Sequence, residues 1–197
     1  MDDYTSIRNA WNTCLELVSD RGYTIDENYS KLSDNDINHM ISNNKLDIIS
    51  KDNQNSIYIK FLVTQRIKPS LIKEVIEEII EEIKNSVLDI VLVLKTKPNN
   101  SILKLVKEYT NVQIMWVKQL QFNPTKHYIV PKHTKLDEKE VNKIIQDYNL
   151  SSKFQLPLLL KDDVISRYYN FKSGDVIKMT NAINTQNPNY IFYRCVR

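Results

Sequence analysis

The chain has 197 residues, a length that allows one large domain or two small ones. With 42% hydrophobic and 26% charged residues it is too apolar to stay disordered, and a formal net charge of +3 is too small to announce nucleic acid as a partner. No apolar run approaches the length of a membrane span, and the opening MDDYTSIRNAW is acidic where a targeting peptide would be basic, so the expectation is a protein of the cytosolic or nuclear side with no membrane partner.

Ile7, Trp11, Cys14, Leu15 and Val18 recur at three- and four-residue steps, which predicts an amphipathic helix over 4–20 that Gly22 ends. A short polar helix is expected from Ser33 to Asn43. LDIIS at 46–50 and SIYIKFLVT at 56–64 then read as a strand hairpin, with Ile57, Ile59, Phe61 and Val63 on one face. Ser70 is expected to cap a helix whose Leu71, Ile72, Val75, Ile76, Ile79, Ile80 and Ile83 form an apolar stripe opposite a glutamate-rich face. VLDIVLVL at 87–94 is apolar almost throughout and reads as a strand covered on both faces. A helix marked by Ile102, Leu105, Val106 and Tyr109 and a strand at 112–117 follow, an order that implies parallel pairing by right-handed crossovers.

The polar segment 118–126 ends in a proline turn, and a domain boundary is expected there, giving domains 1–122 and 123–197. Charge is shared unevenly across it, because residues 123–197 hold 12 basic and 7 acidic side chains. HYIVPKH at 127–133 could form an edge strand, and Asp137 with Glu140 should box the start of a helix carrying Val141, Ile144, Ile145 and Tyr148. After QLPLLL come a short helix in DDVISRYY and two strands, 175–180 and 190–196, joined by an Asn-rich turn. The fold class expected is α/β (α+β overall): an N-terminal domain with a mixed sheet flanked by helices and a small C-terminal α+β domain.

Motifs for chemistry are mostly missing. With Gly22 and Gly174 as the only glycines, no P-loop or dinucleotide-binding loop can be built. His39, His127 and His133 have no ligand-spaced companions, and Cys14 and Cys195 read as reduced buried thiols, so no metal, cofactor or small-molecule substrate is expected. Asp47 ahead of Ile57, Tyr58, Ile59 and Lys60 approaches the layout of metal-dependent nucleases. Tyr58, however, stands where such a site needs its second carboxylate, and a tyrosine cannot bridge a divalent cation at neutral pH. An inactive nuclease-like DNA-binding protein remains the alternative reading.

The last seventy residues carry the densest signal. Val130, Pro131 and His133, then Gln155, Leu156 and Pro157, then Asp163, Arg167, Tyr168, Tyr169, Lys172, Gly174, Val176 and Lys178, and last Tyr193 and Arg194 form an ordered series. It resembles subunit five of eukaryotic nuclear RNA polymerases, called H in archaea, whose pattern is approximately LVPxH, QLP, DPVARYYGLKRGQVVKI and a terminal YR. The DRGY at 20–23 extends the resemblance to the long eukaryotic form. Val164, Asn170 and Ser173 depart from that pattern, and Asn170 can still take the left-handed conformation open to glycine.

The resemblance implies a non-catalytic structural subunit of a multisubunit DNA-directed RNA polymerase. Its C-terminal domain would dock on the largest subunit and help the other subunits assemble, and its N-terminal domain would form a jaw that binds downstream duplex DNA weakly. Pro131, His133, Arg167, Tyr168, Tyr169, Lys172, Gly174, Lys178 and Arg194 are the candidate interface residues, arginine and tyrosine being prominent at interfaces. Either tyrosine could equally complete a small core. Lys60, Arg66, Lys68 and Lys73, or Lys95, Lys97 and Lys104, are the candidates for phosphate contact, with solvated surface lysines as the plainer reading. The place implied is the nucleus, or a virion or host cytoplasm if the gene belongs to a large DNA virus, which the Asn-rich composition would suit.

Overall fold

A computed structural model describes residues 3–43, 45–51, 55–63, 67–83, 87–180 and 191–197. They fall into two compact units, Met1–Phe122 and Asn123–Arg197. Each is built on its own four-stranded mixed sheet flanked by helices.

The first unit opens with α1 (Asp3–Asp20). Its buried stripe is Ile7, Ala10, Trp11, Cys14, Leu17 and Val18; Leu17 is fully buried, while Leu15 on the expected stripe is half-buried. Gly22 takes φ 88° beyond the helix. The Tyr23 amide donates back to the Val18 carbonyl (3.1 Å) and the Gly22 amide to that of Ser19 (2.9 Å), so the last carbonyls of the helix are satisfied by a left-handed glycine cap. Two short helices follow. α2 (Glu27–Ser30) is capped by Asp26, and α3 (Asp34–Ser42) is closed by a reciprocal Ser33–Asp36 capping box.

β1 (Asp47–Lys51) and β2 (Asn55–Leu62) pair antiparallel as the expected hairpin, with Ile48 opposite Ile59. β3 (Val87–Leu94) and β4 (Val112–Trp116) then add in parallel, with Ile59 beside Val91 and Leu92 beside Ile114, in the order β1-β2-β3-β4. The connections are α4 (Pro69–Glu82) and α5 (Asn100–Val106). Ser70 does not cap α4. Lys68 is the N-cap residue and makes no side-chain cap, while Pro69 occupies the first turn, where its missing amide costs nothing.

Side chains alternate across the sheet. Tyr58, Ile90, Leu92 and Ile114 pack in one core cluster with Ile72, Val75, Ile76 and Ile79 of α4 and Ile102 of α5. Each such burial contributes about 1.5–3 kcal/mol, which is why α4 is the main anchor of this face. On β2, Ile57, Ile59 and Phe61 alternate with Tyr58, and the Phe61 ring meets the Trp11 ring of α1 at 5.8 Å. Trp11 in turn lies edge-on to Tyr29. After β4 the chain tightens into a 3-10 turn, Val117–Leu120, which packs on α1, and Gln121 Nε2 donates to the Ser6 carbonyl (2.9 Å).

In the second unit, β5 (Lys132–Lys135), β6 (Leu158–Leu159), β7 (Val176–Thr180) and β8 (Ile191–Val196) are ordered β5-β7-β8-β6. α6 (Glu138–Asp147) starts at the expected Asp137–Glu140 box, and α7 (Val164–Tyr169) is capped by Asp163. The strand expected at 127–133 begins only at Lys132. Before it, a 3-10 turn at Pro124–Lys126, capped by Asn123, leads into a turn closed by the Val130 amide on the His127 carbonyl (2.9 Å). β7 and β8 pair antiparallel as expected, and the Asn-rich turn expected to join them lies outside the described residues.

The second sheet divides its core between its faces. Leu136, Ile144, Leu156, Val176 and Cys195 pack with Val141 on the α6 side. On the other side Leu159, Phe171, Ile177, Met179 and Val196 pack with Tyr169 and Phe192. No helix among the described residues is long and apolar enough to cross a membrane.

Candidate partner-docking interface

Helix α7 is six residues long and both its ends are fixed by side chains or backbone geometry. Asp163 Oδ1 accepts from the Ile165 amide (2.9 Å), and Asn170 stops the helix in the left-handed region at φ 57°. Asparagine tolerates that conformation better than other non-glycine residues. The Phe171 amide then returns to the Ser166 carbonyl (2.9 Å), which throws Phe171 under the sheet.

The three central candidates divide over this helix. Tyr168 is 1% exposed and fills the interior of its own unit, with its ring edge-on to Tyr169 at 5.4 Å. As a docking side chain it is a correction: large aromatics complete small cores, and this one has no surface to offer. Tyr169 is half-buried and stacks on Phe171 at 5.3 Å. Arg167 is half-buried, and burial lowers its guanidinium pKa against the opposing pull of Asp162. Val164 lies one helical turn before Arg167 and is 53% exposed, so the two share one face.

Strand register places the remaining candidates. His133 pairs across to Met179 and Arg194 to Ile177, which sets both on the face that α7 covers. His133 is half-buried, its Nδ1 is 2.7 Å from the Pro131 carbonyl, and burial lowers its pKa. Arg194 Nη1 donates to the Leu158 carbonyl at 2.7 Å. Lys178 is opposite Thr134 and Tyr193 and therefore lies on the α6 side, away from this group. Lys172 is exposed, its amide donating to Asp175 Oδ2 (2.8 Å) and its Nζ to Asn170 Oδ1 (3.0 Å).

Gly174 takes φ 88°, and its amide donates to the Val196 carbonyl (2.9 Å). A Cβ there would also stand 3.3 Å from Lys153 Nζ, at the movable end of a flexible side chain. Strain at the left-handed backbone therefore dominates, and Gly174→Ala is expected to destabilise the second unit by about 1 kcal/mol. Chemical denaturation followed by far-ultraviolet circular dichroism measures this shift.

The basic candidates of the first unit do not form one patch. Leu62, Leu94 and Trp116 are level across β2, β3 and β4, so the segments that follow these strands emerge at one end of the sheet. Lys68, Lys95 and Lys97 are exposed there, and exposed Lys118, absent from the sequence-derived candidates, follows β4 at the same end. Its signal was its place directly after the third parallel strand. Lys104 sits in the latter half of α5, which runs back from that end. Lys73 is exposed and lies 3.8 Å from Glu77. Arg66 lies outside the described residues.

Lys60 is turned inward. Its Nζ is 3.1 Å from Asp47 Oδ2, and the Tyr58 hydroxyl donates to the same oxygen at 3.1 Å. Burial and the Asp47 charge raise the Tyr58 pKa, so the phenol stays protonated as a donor. The one carboxylate at the nuclease-like position is thus committed to a cation and a phenol of its own chain. Among the described residues no group of His, Cys, Asp and Glu could hold a metal ion. The DRGY segment ties the end of α1 to the sheet. Arg21 Nη2 donates to Gln113 Oε1 (2.8 Å) on β4, and the Tyr23 hydroxyl to Asp89 Oδ2 (3.3 Å) on β3. Burial, helped by Asp89, raises the Tyr23 pKa to about 12.

Comparison with known proteins follows this division into units. Residues 122–196 match the family described as RNA polymerase Rpb5, C-terminal domain. Over 92% of its length the chain is 27% identical to the DNA-directed RNA polymerase V subunit 5A of Arabidopsis thaliana, covering 84% of that protein. It is 26% identical to the DNA-directed RNA polymerases I, II, and III subunit rpabc1 of Dictyostelium discoideum, with the whole of both chains covered. The similarity therefore runs through the first unit as well as the second: the second unit matches the Rpb5 C-terminal domain family, and the chain as a whole is similar to subunit 5 proteins of DNA-directed RNA polymerases.

Proposed function

We propose that the protein is a non-catalytic structural subunit of a multisubunit DNA-directed RNA polymerase, whose second unit docks on the largest subunit. The observation that carries this reading is the stretch from β6 into α7. Leu160 and Val164 are 59% and 53% exposed. Arg167 stands one turn beyond Val164. Large apolar side chains left in water beside an arginine are the composition of an interface core, and covering them is what a stable partner would contribute.

The first unit then serves as a jaw beside downstream duplex DNA. Lys68, Lys95, Lys97 and Lys118 at the carboxyl end of its parallel strands supply sequence-independent, salt-sensitive attraction to phosphates. The chain's place is the nucleus, or a virion or host cytoplasm for a virus-encoded polymerase. Catalysis lies in other subunits, since Asp47 is held by Lys60 and Tyr58.

The test is recovery of the large polymerase subunits with the tagged full-length chain, identified by mass spectrometry. Arg167→Ala is expected to cut that recovery about tenfold or more, the loss of one interface hot spot, while the melting transition moves little. Undiminished recovery would move the contact away from α7.

A further inference from the structure

Two sheet edges of this molecule are closed by the chain's own side chains. On β1 the Ile49 amide donates to the Tyr29 hydroxyl (3.2 Å), and the Ser50 hydroxyl donates to the Thr24 carbonyl. On the β6 edge, where the Pro157 and Leu159 carbonyls accept from β8, the outward Leu158 carbonyl accepts from Arg194 Nη1 (2.7 Å). That of Leu156 accepts from Arg197 Nη2 (3.3 Å). An unpaired edge is a template for another strand, and these contacts blunt it.

The outer edge of β5 has no such cover among the described residues. The Leu136 amide donates to the Val176 carbonyl (3.0 Å), and Lys135 lies opposite Ile177 and His133 opposite Met179. Antiparallel ladders alternate, so Lys132, Thr134 and Leu136 bond inward to β7, and the amides and carbonyls of His133 and Lys135 point away from the sheet. Lys132, Thr134 and Lys135 are exposed. Immediately before the strand, Tyr128 and Ile129 are 71% and 61% exposed at the tip of their turn. The second unit holds 12 basic and 7 acidic side chains, so a strand laid against it is favoured if acidic.

We propose that β5 accepts an extended, acidic segment of a larger polymerase subunit as a fifth strand. Its backbone bonds to His133 and Lys135, and an apolar side chain of the segment covers Tyr128 and Ile129. Main-chain bonds supply the affinity, and the lysines and the apolar tip select the sequence. This rests on the polymerase-subunit reading and names a second contact besides α7.

The experiment uses the full-length chain recovered with its polymerase. Lys135→Pro removes one outward amide and leaves the bonds from Thr134 and Leu136 to β7 in place, as proline on an edge strand does. Lys135→Ala removes the same side chain, with its 2.9 Å ion pair to Asp175, and keeps the amide. Lys135→Pro is expected to recover the large subunits at least about tenfold less than Lys135→Ala does, with equal melting transitions. Equal recovery of the two variants would overturn the proposal and leave the subunit reading standing.

If Lys135→Pro melts early, hydrogen exchange on the unmodified chain decides instead. The His133 and Lys135 amides should exchange at least about tenfold more slowly in the assembly than in the free chain, and unchanged exchange would overturn the proposal. Absence of polymerase subunits from the unmodified preparation would remove both readings together.

Discussion

Tyr168→Ala is expected to unfold the second unit rather than to weaken a contact, at a cost of about 3–5 kcal/mol. The side chain is 1% exposed and its ring braces Tyr169, which in turn stacks on Phe171 in the α7-side core. Removing it leaves a cavity that a six-residue helix fixed at both ends cannot collapse to fill. Small domains rarely hold more than a few kcal/mol in reserve, so the loss is comparable to the whole stability of the unit. Circular dichroism of Tyr168→Ala should show the first unit still melting cooperatively while the signal of the second is lost. Tyr168→Phe, which keeps the ring, should stay folded, and a folded Tyr168→Ala chain would show that the core is plastic. Loss of polymerase association in Tyr168→Ala therefore reports folding, whereas the same loss in Arg167→Ala reports docking.

The second large effect is expected in the first unit. Asp47→Ala leaves the Lys60 ammonium and the Tyr58 hydroxyl without the oxygen that both use, in a place where the two charged side chains are only 17% and 19% exposed. Breaking a pair that is mostly removed from water costs about 3 kcal/mol, because the remaining charge is left uncompensated. The double variant Asp47→Leu with Lys60→Met removes both charges and should recover most of that loss in urea denaturation. Were Asp47→Ala as stable as the unmodified chain, Lys60 would have to reach solvent unaided, and its place among the phosphate-contacting candidates would be restored.

Long periodic segments were legible without coordinates. The stripes of α1 and α4, the β1–β2 hairpin, the apolar β3 and the capping box of α6 each follow from residue spacing over enough turns or pleats to fix a face. Short elements were not. α2 and β6 span four and two residues and carry no repeat, and they form because Asp26 caps one and β8 pairs with the other. Pro131 and the turn closed on His127 postponed β5 to Lys132, since a strand cannot begin through that turn.

The docking candidates show the same limit. α7 has under two turns, so spacing alone left Tyr168 and Tyr169 as equal candidates for the core, and only packing put Tyr168 inside. The motif pointed to α7, and packing decided which of its faces meets water. The inward turn of Lys60 was equally hidden, because a charge on a strand reads as exposed until its partner on the neighbouring strand is known.

The first unit is closed by joining its beginning to its end: α1 rests on the Val117–Leu120 turn, and Gln121 reaches back to Ser6. During synthesis α1 therefore leaves the ribosome roughly a hundred residues before the Val117–Leu120 part of its seat exists. Nascent chains stopped short of residue 120 should accordingly be clients of chaperones, and the newly made subunit should become competent for assembly only after its first half has been sealed.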